Sequence, residues 1–220
     1  MPGHDSNILN MFTEHVQSIG MEVTVTSRDD LRQITNDKVT AAAELLFRKR
    51  GFKATTVRDI AAEAGVSVGS VMAIGDKSAL LVAMFDRTIS EMHHDRAADA
   101  EPKEVETVSP DPTDRIMELI TPFLALFASN MDLAREYGAV LMMGTHRSVI
   151  FHELGDVLLR EINATLQASG MNENDAEVAS RTVYIAYLGT TFAWAGSGST
   201  DVTEPMSNLR SILTFITKSK

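Results

Sequence analysis

The 220-residue chain has no cysteine, so disulfides, thiolate-held metals and cysteine nucleophiles are all excluded. Aromatic residues make up only 6% of it, with a single tryptophan. No apolar run reaches the length that crosses a bilayer, so no membrane partner is expected. The opening Met1-Pro-Gly-His-Asp-Ser6 lacks the basic start and apolar stretch of a signal peptide, and a cytoplasmic location is the natural expectation. Segments with the two-residue alternation of strands are missing, as are repeats and low-complexity tracts. A uniformly basic surface is also excluded, because 20 Lys and Arg face 30 Asp and Glu, for a net charge of −10.

The charge is unevenly distributed. Residues 1–27 carry three acids and no Lys or Arg; residues 28–87 carry ten bases against eight acids; residues 88–220 carry ten against nineteen. The acidity therefore gathers in the C-terminal part and leaves a mildly basic segment ahead of it, which permits a nucleic-acid partner without demonstrating one.

Apolar spacing is helical along the chain. Thr35-Asn36 are expected to cap a helix with Val39, Ala42, Ala43, Leu46 and Phe47 on one face, ending at Gly51. Thr55-Thr56 cap a second helix, in which Val57, Ile60, Ala61 and Ala64 form the stripe. Gly65 ends it where a positive φ is easily reached. Ser67 caps a third, short helix with Val71 inward, Ala61 is small where two helices cross, and Val66 fills the space under the turn. Gly75-Asp76-Lys77 opens a long helix with Leu80, Leu81, Met84, Phe85 and Ile89. A second helix held proud of its neighbours after a tight turn is the device that enters a DNA major groove.

Farther on, Asp99–Pro112 reads as a loop. Helices then carry Ile116–Phe127 (bent at Pro122), Leu133–Leu141 (stopping near Gly144), Phe151–Leu166 (closed by Gly170), Asn172–Gly196, and Met206–Ile216 after Thr203-Glu-Pro205. Gly196–Thr200 is a flexible break. Ala186, Gly189, Thr190 and Ala193 are small residues that permit close approach of another helix, and pairing with a second copy would build a four-helix interface.

The pattern Ala43-x-x-Leu46-Phe47-x-x-x-Gly51-Phe52, Thr55-Thr56-x-x-x-Ile60-Ala61, Ala64-Gly65-Val66-Ser67-x-Gly69-Ser70-Val71, Lys77-x-x-Leu80-Leu81 resembles the DNA-binding domain of the tetracycline-repressor (TetR) family. It covers about a quarter of the chain. The resemblance implies an all-α fold: an extension over residues 1–34, a three-helix DNA-binding domain over 35–80, and a helical effector-binding and dimerisation domain over 81–220. It implies a transcriptional regulator and not an enzyme, a repressor whose DNA affinity falls when a small apolar or aromatic effector binds. The implied partners are a near-palindromic DNA duplex, that effector and a second copy of the chain; no cofactor and no metal is expected.

By the same resemblance, Thr56, Arg58, Ser67, Val68, Ser70, Met72, Ala73 and Lys77 are the DNA-contacting candidates, with Lys77 on a phosphate. Helix N-termini suit phosphate oxygens. The interval Met72–Asp76 departs from the family pattern by lacking an aromatic, so the family's tyrosine contact to a phosphate is not expected. The recognition helix also lacks Arg, Lys, Asn and Gln, the side chains that pair bidentately with bases, so readout should lean on thymine methyls and DNA shape. Arg28 and Arg32 are candidates for an arm entering the minor groove, with Asp29 and Asp30 opposing. Arg48-Lys49-Arg50 reads as a cation cluster complementing a helix end. The effector pocket implied by the family would draw on Phe123, Phe127, Tyr137, Met142, Met143, His146, Tyr184, Tyr187 and Trp194, although each of these also suits a plain core.

Other chemistries are also written in the residues. Gly65-Val-Ser67-Val-Gly69 matches the nucleophile elbow of serine hydrolases, with His146 and His152 following, but that motif requires a strand before it. Glu91-x-x-His94, beside His93 and Asp95, is half of a di-iron signature without a second copy. A helical adaptor with a degenerate DNA module is the remaining alternative. Ile8, Leu9, Phe12, Val16 and Ile19 form one candidate amphipathic helix, and Met21 is a candidate start.

Overall fold

Helix boundaries in this chain are set largely by side-chain caps. The computed structural model describes residues 27–99, 111–146 and 148–218. Nine α-helices lie among them: α1 Arg28–Arg50, α2 Val57–Ala64, α3 Val68–Ile74, α4 Lys77–Asp99, α5 Pro112–Ser129, α6 Met131–Met143, α7 Val149–Ala168, α8 Glu173–Ser197 and α9 Thr203–Lys218. No strand occurs among the described residues. The amphipathic helix expected over Ile8–Ile19 lies outside them, as do residues 100–110 of the loop expected over Asp99–Pro112, whose end residues Asp99 and Pro112 belong to α4 and α5.

The first helix starts a full two turns earlier than Thr35-Asn36 predicts. Ser27 Oγ accepts from the Asp30 N–H at 3.0 Å, and Asp30 accepts from the Ser27 N–H at 2.8 Å, a reciprocal cap that uses Asp in place of the usual Glu. The same bonds hold the Asp30 carboxyl below its ordinary range. Thr35 then lies inside the helix and returns its hydroxyl to the Leu31 carbonyl at 2.8 Å. Arg28 and Arg32 occupy the first turns of α1, so they are not part of an extended arm. The expected domain limits at 34/35 and 80/81 each fall within a continuous helix, α1 and α4. Residues 37–220 form one compact unit, and residues 1–36 another.

In the larger unit, Val39, Ala43, Leu46 and Phe47 of α1 share a core with Ile60 and Ala61 of α2, Val71 of α3, and Leu80 and Leu81 of α4. Thr55 is wholly buried, and its hydroxyl donates to the Gly51 carbonyl at 2.9 Å, which closes the turn between α1 and α2. Helix α4 continues into the body and packs against α6 and α7. In turn α8 lies against α6, α7 and α9, and α9 against α5. Two ion pairs fasten the layers: Arg96–Glu161 at 2.6 Å between α4 and α7, and Arg210–Asp114 at 2.5 Å between α9 and α5.

Candidate DNA-binding head and effector cavity

The turn between α2 and α3 is built as the sequence predicts. Thr56 and Asp59 form a capping box at the start of α2, with Thr56 Oγ1 accepting from the Asp59 N–H at 3.2 Å. At the far end Gly65 adopts φ +67°. Its N–H reaches the Ala62 carbonyl, while the Val66 N–H reaches that of Ala61, the paired bonds of a Schellman turn. Only a residue without Cβ takes this conformation without strain. Ser67 then caps α3 by accepting from the Ser70 N–H at 3.0 Å.

Helix α3 has seven residues, and Val71 is the only fully buried one. Val68 and Met72, one turn apart, are 43% and 52% exposed and form an apolar outer edge beside exposed Ala73. Ser70 is half-buried, with its hydroxyl 2.9 Å from that of Ser67. Thr56 and Arg58 are exposed at the start of α2, and Arg58 has no ion-pair partner among the described residues. The nearby cations differ: Arg48 and Arg87 share Glu44, Arg50 faces Asp59 at 3.8 Å, and Lys53 reaches Glu136 at 3.1 Å.

The structure changes the role of Lys77. Its ammonium donates to the carbonyls of Phe52 at 2.9 Å and Thr55 at 3.0 Å and sits 4.2 Å from the centre of the Phe52 ring. Two of its three donors therefore hold the α1–α2 loop to α4, leaving one for any phosphate. The Asp76 carboxylate caps α4 through the Ala79 N–H at 2.8 Å.

The Gly-x-Ser-x-Gly match is not a nucleophile elbow. It joins two helices, and its serine is spent as a cap. The half di-iron signature gains no second half: among the described residues no three metal-ligating side chains come together, Glu91 lies 3.8 Å from Arg87, and His94 Nδ1 donates to the Ser90 carbonyl at 2.8 Å.

In the body, a cavity of about 550 Å³ opens between the end of α5, helix α6 and the C-terminal half of α8. That volume lies within the range of small-molecule sites, ~300–1,000 Å³. Of the expected effector residues, Phe127, Tyr137, Met142, Tyr187 and Trp194 line it. Phe123 and Tyr184 instead border a separate cleft of about 40 Å³ with His93 and Gly155. Tyr184 fits there because Gly155 has no side chain; a Cβ at that position would fall 2.5 Å from the Tyr184 hydroxyl oxygen. Met143 is 72% exposed and lines neither space.

His146 is the clearest correction. Gly144 ends α6 with φ +67° and turns the chain away from the cavity. As a result His146 Nε2 lies 3.0 Å from Asp76 Oδ1, at the start of α4. Sequence reasoning missed Met131, Ala134, Arg135, Gly138, Thr191 and Phe192 in the cavity wall. Thr191 and Phe192 do follow Tyr187 and Leu188 at helical spacing, a signal that could have found them.

Tyr137 connects the cavity to α4. Its ring stacks on Phe85, centroids 4.5 Å apart. Its hydroxyl makes long contacts to Asp86 Oδ1 (3.4 Å) and Ser148 Oγ (3.5 Å), while Ser148 donates to the same carboxylate at 2.6 Å. Burial raises the Asp86 carboxyl above its usual range, and these hydrogen bonds oppose the rise. Burial also raises the Tyr137 phenol, which stays a neutral donor.

No curated protein matches the chain in sequence. Residues 39–84 match the family model described as "Bacterial regulatory proteins, tetR family". Among solved structures, the chain is similar to FadR of Thermus thermophilus, a TetR-family transcriptional repressor in complex with lauroyl-CoA. The two are 22% identical over 82% of this chain and 92% of that one, with a TM-score of 0.59. A TetR transcriptional regulator from Rhodococcus sp. RHA1 is 15% identical over 85% of this chain and 97% of its own, also with a TM-score of 0.59. A TetR variant from Acinetobacter baumannii AYE, in complex with minocycline, is 22% identical over 81% and 92%, with a TM-score of 0.51. The likeness is thus of two kinds: residues 39–84, which hold the helix-turn-helix, match the tetR-family model, and the described residues carry an all-α fold similar to that of these solved regulators.

Proposed function

We propose that the protein is a homodimeric, cytoplasmic transcriptional repressor that binds a near-palindromic operator and releases it when a small, largely apolar effector fills the α5–α6–α8 cavity. The observation that carries this reading is the geometry of α3: a short helix fixed by Val71 behind it, with Val68 and Met72 exposed in front. Those side chains suit thymine methyl groups, and Arg58 with the N-terminus of α2 suits backbone phosphate. Thr56, Ser67, Ser70 and Ala73 border the same face. The one donor remaining on Lys77 is its share of any phosphate contact.

A second copy fits the exposed face of α8. Val178, Thr182, Ile185, Gly189, Phe192 and Gly196 are all exposed and recur in alternating steps of four and three, the seam of a helix that packs on another helix. Of the small residues expected there, Gly189 and Ala193 are exposed, while Ala186 and Thr190 are half-buried. Such a seam, repeated across a two-fold axis, is self-complementary.

Effector occupancy reaches the head through α4. A molecule against Tyr137 bears on Phe85 and Asp86 of that helix, and the same helix begins at Asp76 and Lys77, which hold His146 and the α1–α2 loop. Selection of bound sequences from random duplex DNA tests the reading. The expected result is a palindrome with half-sites about one helical turn apart, ~10 base pairs. Ser70→Ala should change preference at one position of it. Failure to enrich any palindrome would overturn the proposal and favour a helical adaptor.

A further inference from the structure

We infer that the effector cavity is completed by the second copy: Ile185 of the partner subunit covers its mouth, so that effector binding and dimerisation strengthen each other. The inference rests on the effector reading of the cavity and on the α8 seam, and it joins the two.

The cavity opens onto the seam. Among its lining residues, Ala139 and Met142 of α6 and Phe192 and Gly196 of α8 remain exposed, and these mark where the wall is missing. Tyr137, Tyr187 and Trp194, all buried, form its inner wall. Met142 is 75% exposed although it borders the space. Phe192 leans from α8 onto α6, where a Cβ at Gly138 would lie 3.1 Å from its ring. Phe192 and Gly196 are at the same time seam positions. A partner helix laid along the seam therefore lies along the mouth of the cavity.

Two glycines set how the helices meet. A Cβ at Gly189 or at Gly196 would meet nothing within 4 Å, so packing inside the protomer calls for neither. Glycine within a helix is destabilising relative to alanine, and close approach of a second helix gives it a use. With Gly189 at the crossing of two antiparallel copies of α8, seam positions equidistant from it pair across the two-fold axis. Phe192 then meets Ile185 of the partner subunit, and Gly196 meets the partner's Thr182. Ile185 is 68% exposed in the protomer, an apolar side chain with no cover of its own. Placed over the mouth, it is buried together with the ligand. An isoleucine that removes about 55 Å² of apolar ligand surface from water accounts for about tenfold in affinity. Linkage is reciprocal, so saturating both sites of a dimer should tighten dimerisation about a hundredfold.

N-phenyl-1-naphthylamine, a neutral aromatic dye that brightens in apolar surroundings, serves as the probe. Its affinity for the full chain is read by fluorescence titration. The dimer dissociation constant is read by sedimentation of a dilution series with and without saturating dye. The wild type should be a dimer whose dissociation constant falls about a hundredfold with dye. Ile185 does not line the cavity of its own protomer. Ile185→Glu should therefore sediment as a monomer with unchanged helicity and bind the dye about tenfold more weakly. Val178→Glu, at the far end of the seam, should do the same and guards against a local effect at Ile185. A dimer constant unmoved by saturating dye, or monomeric variants that bind as tightly as the wild type, would overturn the inference while leaving an effector site within each protomer. A wild type that stays monomeric, or an Ile185→Glu protein that stays dimeric, would overturn the inference and the α8 seam together. Absence of dye binding to the wild type would overturn the inference with the effector reading, and the DNA selection above would remain an independent test of the head.

Discussion

Replacing Val71 with Ala separates the anchoring of the recognition helix from its contact surface. Val71 is fully buried, and no other residue of α3 is. Loss of two carbons forfeits about 1.6 kcal/mol of transfer free energy. The void left behind, roughly 50 Å³ at ~24 cal/mol per Å³, adds about 1 kcal/mol where α1, α2 and α4 cannot close in. The sum, about 2.5 kcal/mol, corresponds to a fall in Tm of roughly 5–10 °C for a chain of this size. Met72 sits one position along and is 52% exposed, so Met72→Ala should change stability by less than about 0.5 kcal/mol. It should instead weaken binding to the selected operator by roughly fivefold, the scale of one lost base contact. Calorimetric melting of both variants and fluorescence-anisotropy titration of the operator give the four numbers needed. A Val71→Ala protein that melts with the wild type, or a Met72→Ala protein destabilised as much as Val71→Ala, would refute the orientation of α3 and the DNA reading built on it.

Lys77→Met keeps the aliphatic stem against Phe52 but removes two charge-assisted hydrogen bonds, so a loss of about 2 kcal/mol in thermal stability is expected. The slope of log affinity against log salt should change by less than the ~0.9 expected of a fully phosphate-neutralising cation, and a full-sized change with unaltered melting would return Lys77 to the phosphate. His93 is held neutral in the fold: burial first, then neighbouring Arg96 and His94, bring its pKa down from 6.5 to about 4. The unfolded chain therefore binds the extra proton first, and the stability His93 contributes is complete above pH 6.5 and lost as pH falls toward 4. Denaturant titrations across that window should show the decline in the wild type and less of it in His93→Gln; parallel curves would refute the assignment.

Much of the head was legible in the sequence because its information is local. Gly65, Ser67, Thr56 and the spacing of Ile60, Ala61 and Val71 act within a few residues of themselves, and each took the predicted place. The start of α1 was misread for a related reason: the local signal at Thr35-Asn36 was more conspicuous than Ser27-x-x-Asp30, whose reciprocal bonds form the actual cap. In the body, helix periodicity located α5 to α9 well, but a period says only which residues share a face and not which helix that face meets.

The sequence by itself determined that this chain is helical, that it carries a helix-turn-helix, and that its acidity lies away from that module. Capping, hydrophobic period and charge are properties of neighbours along the chain, so they need no fold to be read. Only the tertiary structure decided where long-range partners meet. It turned Lys77 from a free cation into a latch on Phe52 and Thr55, and it swung His146 beyond Gly144 to Asp76. It put Tyr137 and Trp194 on the cavity, Phe123 and Tyr184 on the small cleft, and Phe127 and Tyr187 on the wall between them, and it left one buried indole N–H without a partner. Each of those outcomes depends on which helix faces cross and at what distance, a choice made by packing the whole core at once.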